Sequence, residues 1–313
     1  MNGPRSTPPD EPDEPDEQSP MNRVWRTGSQ PGTIAHPMAS EHEKTQPGIT
    51  PRPTQPRVPE RYVGLWQRLI LQQNGIPADV TSNVFWLQTR SWHAHIQVPA
   101  QRPEFAQHAS LQACGPDRLA WLAHQQGFAG LTEIEGEICS RERRAEFRPP
   151  DGKRDMARMV FVDADTLVET GIESRYLQIW ERVPGGDGFS AALQRLDQGE
   201  RPAVPSQWLI FAGEYAMYVR ERARTHLPSA DSLAALARSE AADDSAMRAL
   251  VDFEVSFARQ TPAGWRIQLS TLPFREGSLL LAQERLPPPQ DNGLRLAGTP
   301  PTCWQVLEWV DAG

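Results

Sequence analysis

The chain has 313 residues, enough for one large or two small domains, and its 38% hydrophobic content with 8% aromatics suffices for a core. Thirty-two basic residues against 40 acidic ones give a formal net charge of -8, so nucleic acid is offered no electrostatic footprint. No stretch approaches the ~18 consecutive apolar residues of a membrane helix.

Residues 1–60 carry 13 of the 30 prolines and an acidic PDEPDEPDE repeat, and predict a disordered Pro-rich tail with a docking arm as the functional alternative. The opening MNGPRSTPPDEPDEPDE lacks the charged and then apolar regions of a signal peptide, so the expected location is the cytoplasm. Cys114, Cys139 and Cys303 are odd in number and far apart, which fits reduced thiols better than a disulfide framework or a zinc pair.

From Arg61 the composition changes to short aromatic and β-branched runs separated by turn residues. Strand signals follow at 61–71 (RYVGLWQRLIL), 83–98, 128–138, 141–148, 158–163 and 175–183 (RYLQIWERV). A second set lies at 207–222, 250–259, 264–271, 278–284 and 303–310. Asn74-Gly75, Asp151-Gly152 and Asn292-Gly293 supply tight turns. Two helices interrupt the strands, one between Pro116 and Gly127 and one over about 229–239 (Leu233 and Leu236 on one face). Two helices cannot cover both faces of a parallel sheet, so the pattern predicts antiparallel β structure.

Alternation places Trp66 and Arg68 on one face of the first run, with Tyr62, Gly64 and Ile70, and Val63, Leu65, Leu69 and Leu71 on the other. Tyr176, Gln178, Trp180 and Arg182 share a face of 175–183, and Tyr218 and Arg220 share one in 207–222. Such a face is either the solvated outside of a sheet, with rings and guanidinium stems covering each other, or the wall of a pocket. Ten tryptophans favour the pocket, because exposing them would cost apolar area.

His93 and His95, two apart on a strand, project to one face and suit metal chelation if a third ligand exists. The first following carboxylate is only at Glu104, and Trp92, Ala94, Ile96 and Val98 form an apolar opposite face. The histidines are therefore expected to face solvent. Gly186-Asp187-Gly188-Phe189-Ser190-Ala191 matches a G-x-G-x-x-A fingerprint that needs a following helix in a parallel sheet, and reads here as a Gly-rich hairpin loop. Glu169 with Glu173, and Asp163 with Asp165, read as solvated turn positions. No nucleophile elbow, Walker A loop or H-E-x-x-H occurs, so metal, nucleotide and cofactor are not expected.

Gly64-Leu65-Trp66 resembles the Gly-x-Trp that opens lipocalin barrels, where the tryptophan packs across the closed end beneath an arginine. In order, NVFWLQTRSWHAHIQVP, LVETGIESRYLQIWERV, WLIFAGEYAMYVRER, DFEVSFARQTPAGWRIQLS and CWQVLEWV resemble the lipocalin-like Hri family, known from fungi with bacterial relatives, over most of 61–313. The resemblance implies two linked β-barrel halves and carries over no catalytic residue. The tail and the 99–127 insertion depart from the fungal pattern.

The expected architecture is mainly β: a lipocalin-like antiparallel barrel built as two linked half-barrels, 61–187 and 188–313, with two short accessory helices. The expected function is binding of a small apolar or amphiphilic ligand. Trp66, Trp86, Tyr176, Trp180 and Tyr218 would supply aromatic walls, and Arg68, Arg182 and Arg220 would fix a polar end. A buried guanidinium needs an anion or several acceptors, which points to a carboxylated or phenolic ligand. A barrel isomerase or cyclase, and an interaction scaffold with a packed interior, are the rival readings.

Overall fold

The computed structural model describes residues 57–195, 206–223, 226–240, 243–283, 285–297 and 302–311, and most of the expected tail lies outside them. The first nine strands are β1 (Gly64–Gln73), β2 (Ile76–Asp79), β3 (Asn83–Gln88), β4 (Trp92–Val98), β5 (Gln126–Glu135), β6 (Ile138–Glu146), β7 (Asp155–Phe161), β8 (Thr166–Gly171) and β9 (Tyr176–Val183). Every neighbouring pair is antiparallel and the order follows the chain, except that β2 pairs only with the end of β1. β9 returns to β1, from Leu65 opposite Val183 to Gln73 opposite Tyr176. Eight strands thereby close into a barrel, and no edge is left between first and last.

The remaining strands are β10 (Ser190–Arg195), β11 (Gln207–Ala212), β12 (Tyr215–Arg220), β13 (Glu254–Thr261), β14 (Gly264–Ser270), β15 (Leu279–Leu281), β16 (Gly293–Leu296) and β17 (Thr302–Val310). They form an antiparallel, curled sheet ordered β15-β14-β13-β12-β11-β10-β17-β16. The mainly β, antiparallel barrel architecture is as expected, with a closed barrel followed by a second, curled half-barrel; among the described residues the first sheet closes on itself and the second does not.

Three short helices are described instead of two: α1 (Pro116–Leu122), α2 (Leu233–Glu240) and α3 (Asp244–Val251). The last covers residues whose Leu-Val end reads as the start of a strand; its N-cap Asp243 accepts a hydrogen bond from the Ala246 amide. The run 83–98 is a hairpin folded at Thr89-Arg90-Ser91, with Asn83 opposite Val98. Asn74 and Gly75 both have positive φ and turn β1 into β2, as their sequence suggests. The G-x-G-x-x-A run leads into strand β10 and not into a helix, so no helix terminus is available for a pyrophosphate.

The largest core lies between the two sheets. Leu65, Leu87, Ala94, Ile96 and Ala129 turn outward from the barrel and meet Ile210, Met217, Val255 and Phe257 of the second sheet, with Leu119, Leu236 and Leu250 of the helices alongside. Strands β3 to β5 are consequently buried on both faces. A separate apolar core, including Leu193, Phe211, Trp265 and Trp304, belongs to the second sheet. A third, around Trp66, Trp86, Met159 and Trp180, lies inside the barrel.

Candidate ligand site

The inward face of β4 carries His93 and His95, and both are buried. Their expected exposure to solvent is corrected here: the opposite face of β4 is covered by the second sheet, so the polar face has only the barrel interior to occupy. His93 Nδ1 lies 2.9 Å from Thr132 Oγ1, and the Thr132 hydroxyl donates to Gln88 Oε1 at 2.9 Å. His95 stacks on Phe128, with centroids 4.5 Å apart and planes within 7°. Burial first, then nearby arginine charge, pushes both imidazoles well below the ordinary histidine range, so each is neutral at neutral pH. Among the described residues no group of three His, Cys, Asp or Glu is arranged to hold a metal.

A column of rings and guanidinium groups fills the barrel beneath. Arg182 Cζ lies 4.3 Å from the Trp66 ring centroid, Trp66 stacks on Trp86 at 6.0 Å, and Arg141 Cζ lies 5.0 Å from the Trp86 ring on the cavity side. Arg182 donates to the carbonyl oxygens of Val63 and Arg61 as well. The Glu60–Tyr62 turn and Phe161 complete this end, and Val58, before the expected boundary at Arg61, is buried there with its amide on the Arg90 carbonyl. Trp66 and Arg182 thus plug this end of the barrel, and neither lines the cavity above it.

Above the column is a cavity of about 1220 Å³, whose mouth is formed by loop residues such as Asp151, Gly152 and Ser174. Its walls include Arg68, Trp86, Tyr176 and Trp180 from the residues expected at a ligand site. Tyr218 and Arg220 lie on the second sheet, where the Tyr218 hydroxyl donates to Gln207 Oε1 at 2.9 Å and Arg220 pairs with Asp252 at 2.6 Å. The eight expected residues are therefore not brought together: four share the cavity, two plug the closed end and two belong elsewhere.

Other wall residues carry the polar chemistry. Arg141 and Arg143, two apart on β6, both point inward. Arg141 pairs with Glu169 at 2.9 Å and Asp155 at 3.5 Å; Arg143 pairs with Asp155 at 2.8 Å and with Glu146, and covers Phe128 with Cζ 3.9 Å from the ring centroid. Glu169 is buried and also accepts from Tyr176 Oη at 3.0 Å and Trp180 Nε1 at 2.8 Å, which corrects its reading as a solvated turn position. Burial and the Glu169 charge raise the Tyr176 hydroxyl above the usual tyrosine range. Arg68 is ion-paired with Asp79 and donates to Gln97 at 3.3 Å, while its burial lowers the guanidinium from its ordinary value. The sequence signal for this network is the alternation Cys139-x-Arg141-x-Arg143, where a buried cysteine marks the inward face.

No family model matches the chain, and no curated protein does. Among solved structures it is similar to an uncharacterized protein from Saccharomyces cerevisiae, YLR301w, with a TM-score of 0.51 over 79% of this chain and 98% of the yeast chain. At 12% identity that likeness concerns the fold alone. No helix among the described residues is long and apolar enough to cross a membrane.

Proposed function

We propose that the first barrel binds a small amphiphilic molecule in the cytoplasm, and that the chain is a relative of the lipocalin-like Hri family. The observation that carries the binding reading is the cavity of about 1220 Å³, a volume sized for a small ligand, with Trp86, Phe128 and Trp180 beside polar wall atoms. A purely structural barrel of eight strands fills its interior with side chains, as the lower half of this one does. What supports the family reading is the ordered set of strand motifs together with Arg182 lying over Trp66 of the Gly-x-Trp.

Titration with the neutral fluorophore N-phenyl-1-naphthylamine tests the binding. Saturable one-to-one enhancement is expected, weakened about tenfold or more by Trp180→Leu, since a lost aromatic wall removes roughly 1.5–3 kcal/mol of burial, and unchanged by Tyr218→Phe. Non-saturable enhancement, or loss in Tyr218→Phe with Trp180→Leu unaffected, would remove the first barrel from consideration.

A further inference from the structure

We infer that the cavity selects a neutral, hydrogen-bonding aromatic ligand, of the class of a phenol or hydroxyarene, and discriminates against a carboxylate of the same shape. The inference rests on the proposed binding function and narrows the ligand that the sequence left open.

The first argument is electrostatic. The guanidinium groups that suggest an anion are already matched by the protein: Arg68 by Asp79, Arg141 by Glu169 and Asp155, and Arg143 by Asp155 and Glu146. A ligand carboxylate in the deep cavity would have to displace one of these partners, or lose its hydration beside the carboxylates that already pair with them. The histidines supply no compensating cation, because their surroundings keep both imidazoles neutral. At the rim, Arg148 and Arg154 are paired with Asp151 and Glu173, and Lys153 and Arg175 are exposed to water.

The second argument is hydrogen-bond accounting. Three buried polar atoms on cavity residues have no partner among the described residues: Gln178 Oε1, His95 Nδ1 and Arg141 Nε. Gln178 Oε1 can only accept, Arg141 Nε can only donate, and a neutral imidazole nitrogen does either according to its tautomer. A hydroxyl both donates and accepts, so it can pair with an acceptor or a donor of this set without bringing a charge. Buried groups of this kind favour a ligand that pairs with them over an isostere that leaves them unpaired. The rings of Trp86, Phe128 and Trp180 on the cavity wall offer edge contacts that suit an aromatic ring as the body of that ligand.

The test uses three probes of one shape, 2-naphthol, 2-naphthoate and naphthalene, titrated calorimetrically at neutral pH into the full chain and into Gln178→Leu. The expected order is 2-naphthol tightest, with 2-naphthoate weaker by about tenfold or more. In Gln178→Leu the advantage of 2-naphthol over naphthalene should shrink several-fold while naphthalene binding persists, a comparison that stays internal to the variant. Tighter binding of 2-naphthoate would overturn the inference and leave the binding function standing, as would equal affinity of all three. An unchanged naphthol advantage in Gln178→Leu would also overturn it. Failure of all three probes to bind would sink the binding function itself, and the inference with it.

Discussion

Arg141, Arg143, Asp155 and Glu169 form a buried to half-buried charge network in the barrel, in which each charge faces a counter-charge. Burial alone would raise the Asp155 carboxyl, but Arg141 and Arg143 hold it at about 2, against 3.8 unperturbed. A carboxyl depressed on folding stabilises the native state above its unfolded value, and that contribution is lost as pH falls from about 4 toward 2. The shift corresponds to about 2 kcal/mol. Denaturant titrations of Asp155→Asn should therefore show a pH dependence flatter by about that amount over this window. At neutral pH the variant should lose about 3–5 kcal/mol, having left two guanidinium groups short of a partner. Wild-type stability at neutral pH in Asp155→Asn would show that the network is dispensable. Residue pattern alone revealed the i, i+2 pairing of His93 and His95 but not its direction, since alternation tells which side chains share a face and never which face meets water.

At the scale of the element, the readable strands are those with long aromatic or aliphatic runs. β2, β8, β10 and β16 escaped: β2 and β16 are four residues each, β8 has few residues and an inward carboxylate at Glu169, and β10 follows a glycine-rich loop that reads as a hairpin. α3 escaped because its apolar end, Leu250 and Val251, runs almost directly into β13. Asp243→Ala removes the side-chain cap of α3 and should cost about 1 kcal/mol in denaturant titrations; no change would mean that the Ala246 amide finds an equivalent acceptor. The loop between β9 and β10 is held by contact and not only by turn chemistry. A Cβ on Gly186 would lie 2.7 Å from the Leu65 amide nitrogen, whereas one on Gly115 meets nothing within 4 Å. Gly186→Ala should consequently destabilise by about 1–3 kcal/mol, with Gly115→Ala, at the N-cap of α1, costing no more than about 0.5–1 kcal/mol. Equal effects at both sites would show that the loop yields without cost.

On the scale of the whole molecule, one sheet encloses a cavity and the other an apolar core, and they share the core between them. Mainly antiparallel β structure was readable from turn residues and alternation. The antiparallel barrel was read from the ordered motifs; which strands close it was not, because the β1–β9 pairing joins strands more than a hundred residues apart, and nothing local encodes it. For the same reason Arg68, Tyr176 and Trp180 could be placed on faces from sequence, but Tyr218 and Arg220 could not be separated from them. Sharing a core predicts a single unfolding transition. Ile96→Ala, on the barrel face turned to the second sheet, should lower stability by about 2–5 kcal/mol and move the unfolding of both sheets together. Separate transitions for the two sheets would contradict a shared core.

Indole resonances locate a ligand most directly, because Trp86 and Trp180 line the cavity while Trp208, Trp265 and Trp304 belong to the second sheet or the core beneath it. In ¹H–¹⁵N spectra of the 15N-labelled chain titrated with 2-naphthol, the Nε1 signals of Trp86 and Trp180 should shift in a saturable manner. The signals of Trp208, Trp265 and Trp304 should stay in place. Shifts confined to the second-sheet tryptophans, or none at saturating probe, would contradict a ligand site inside the first barrel.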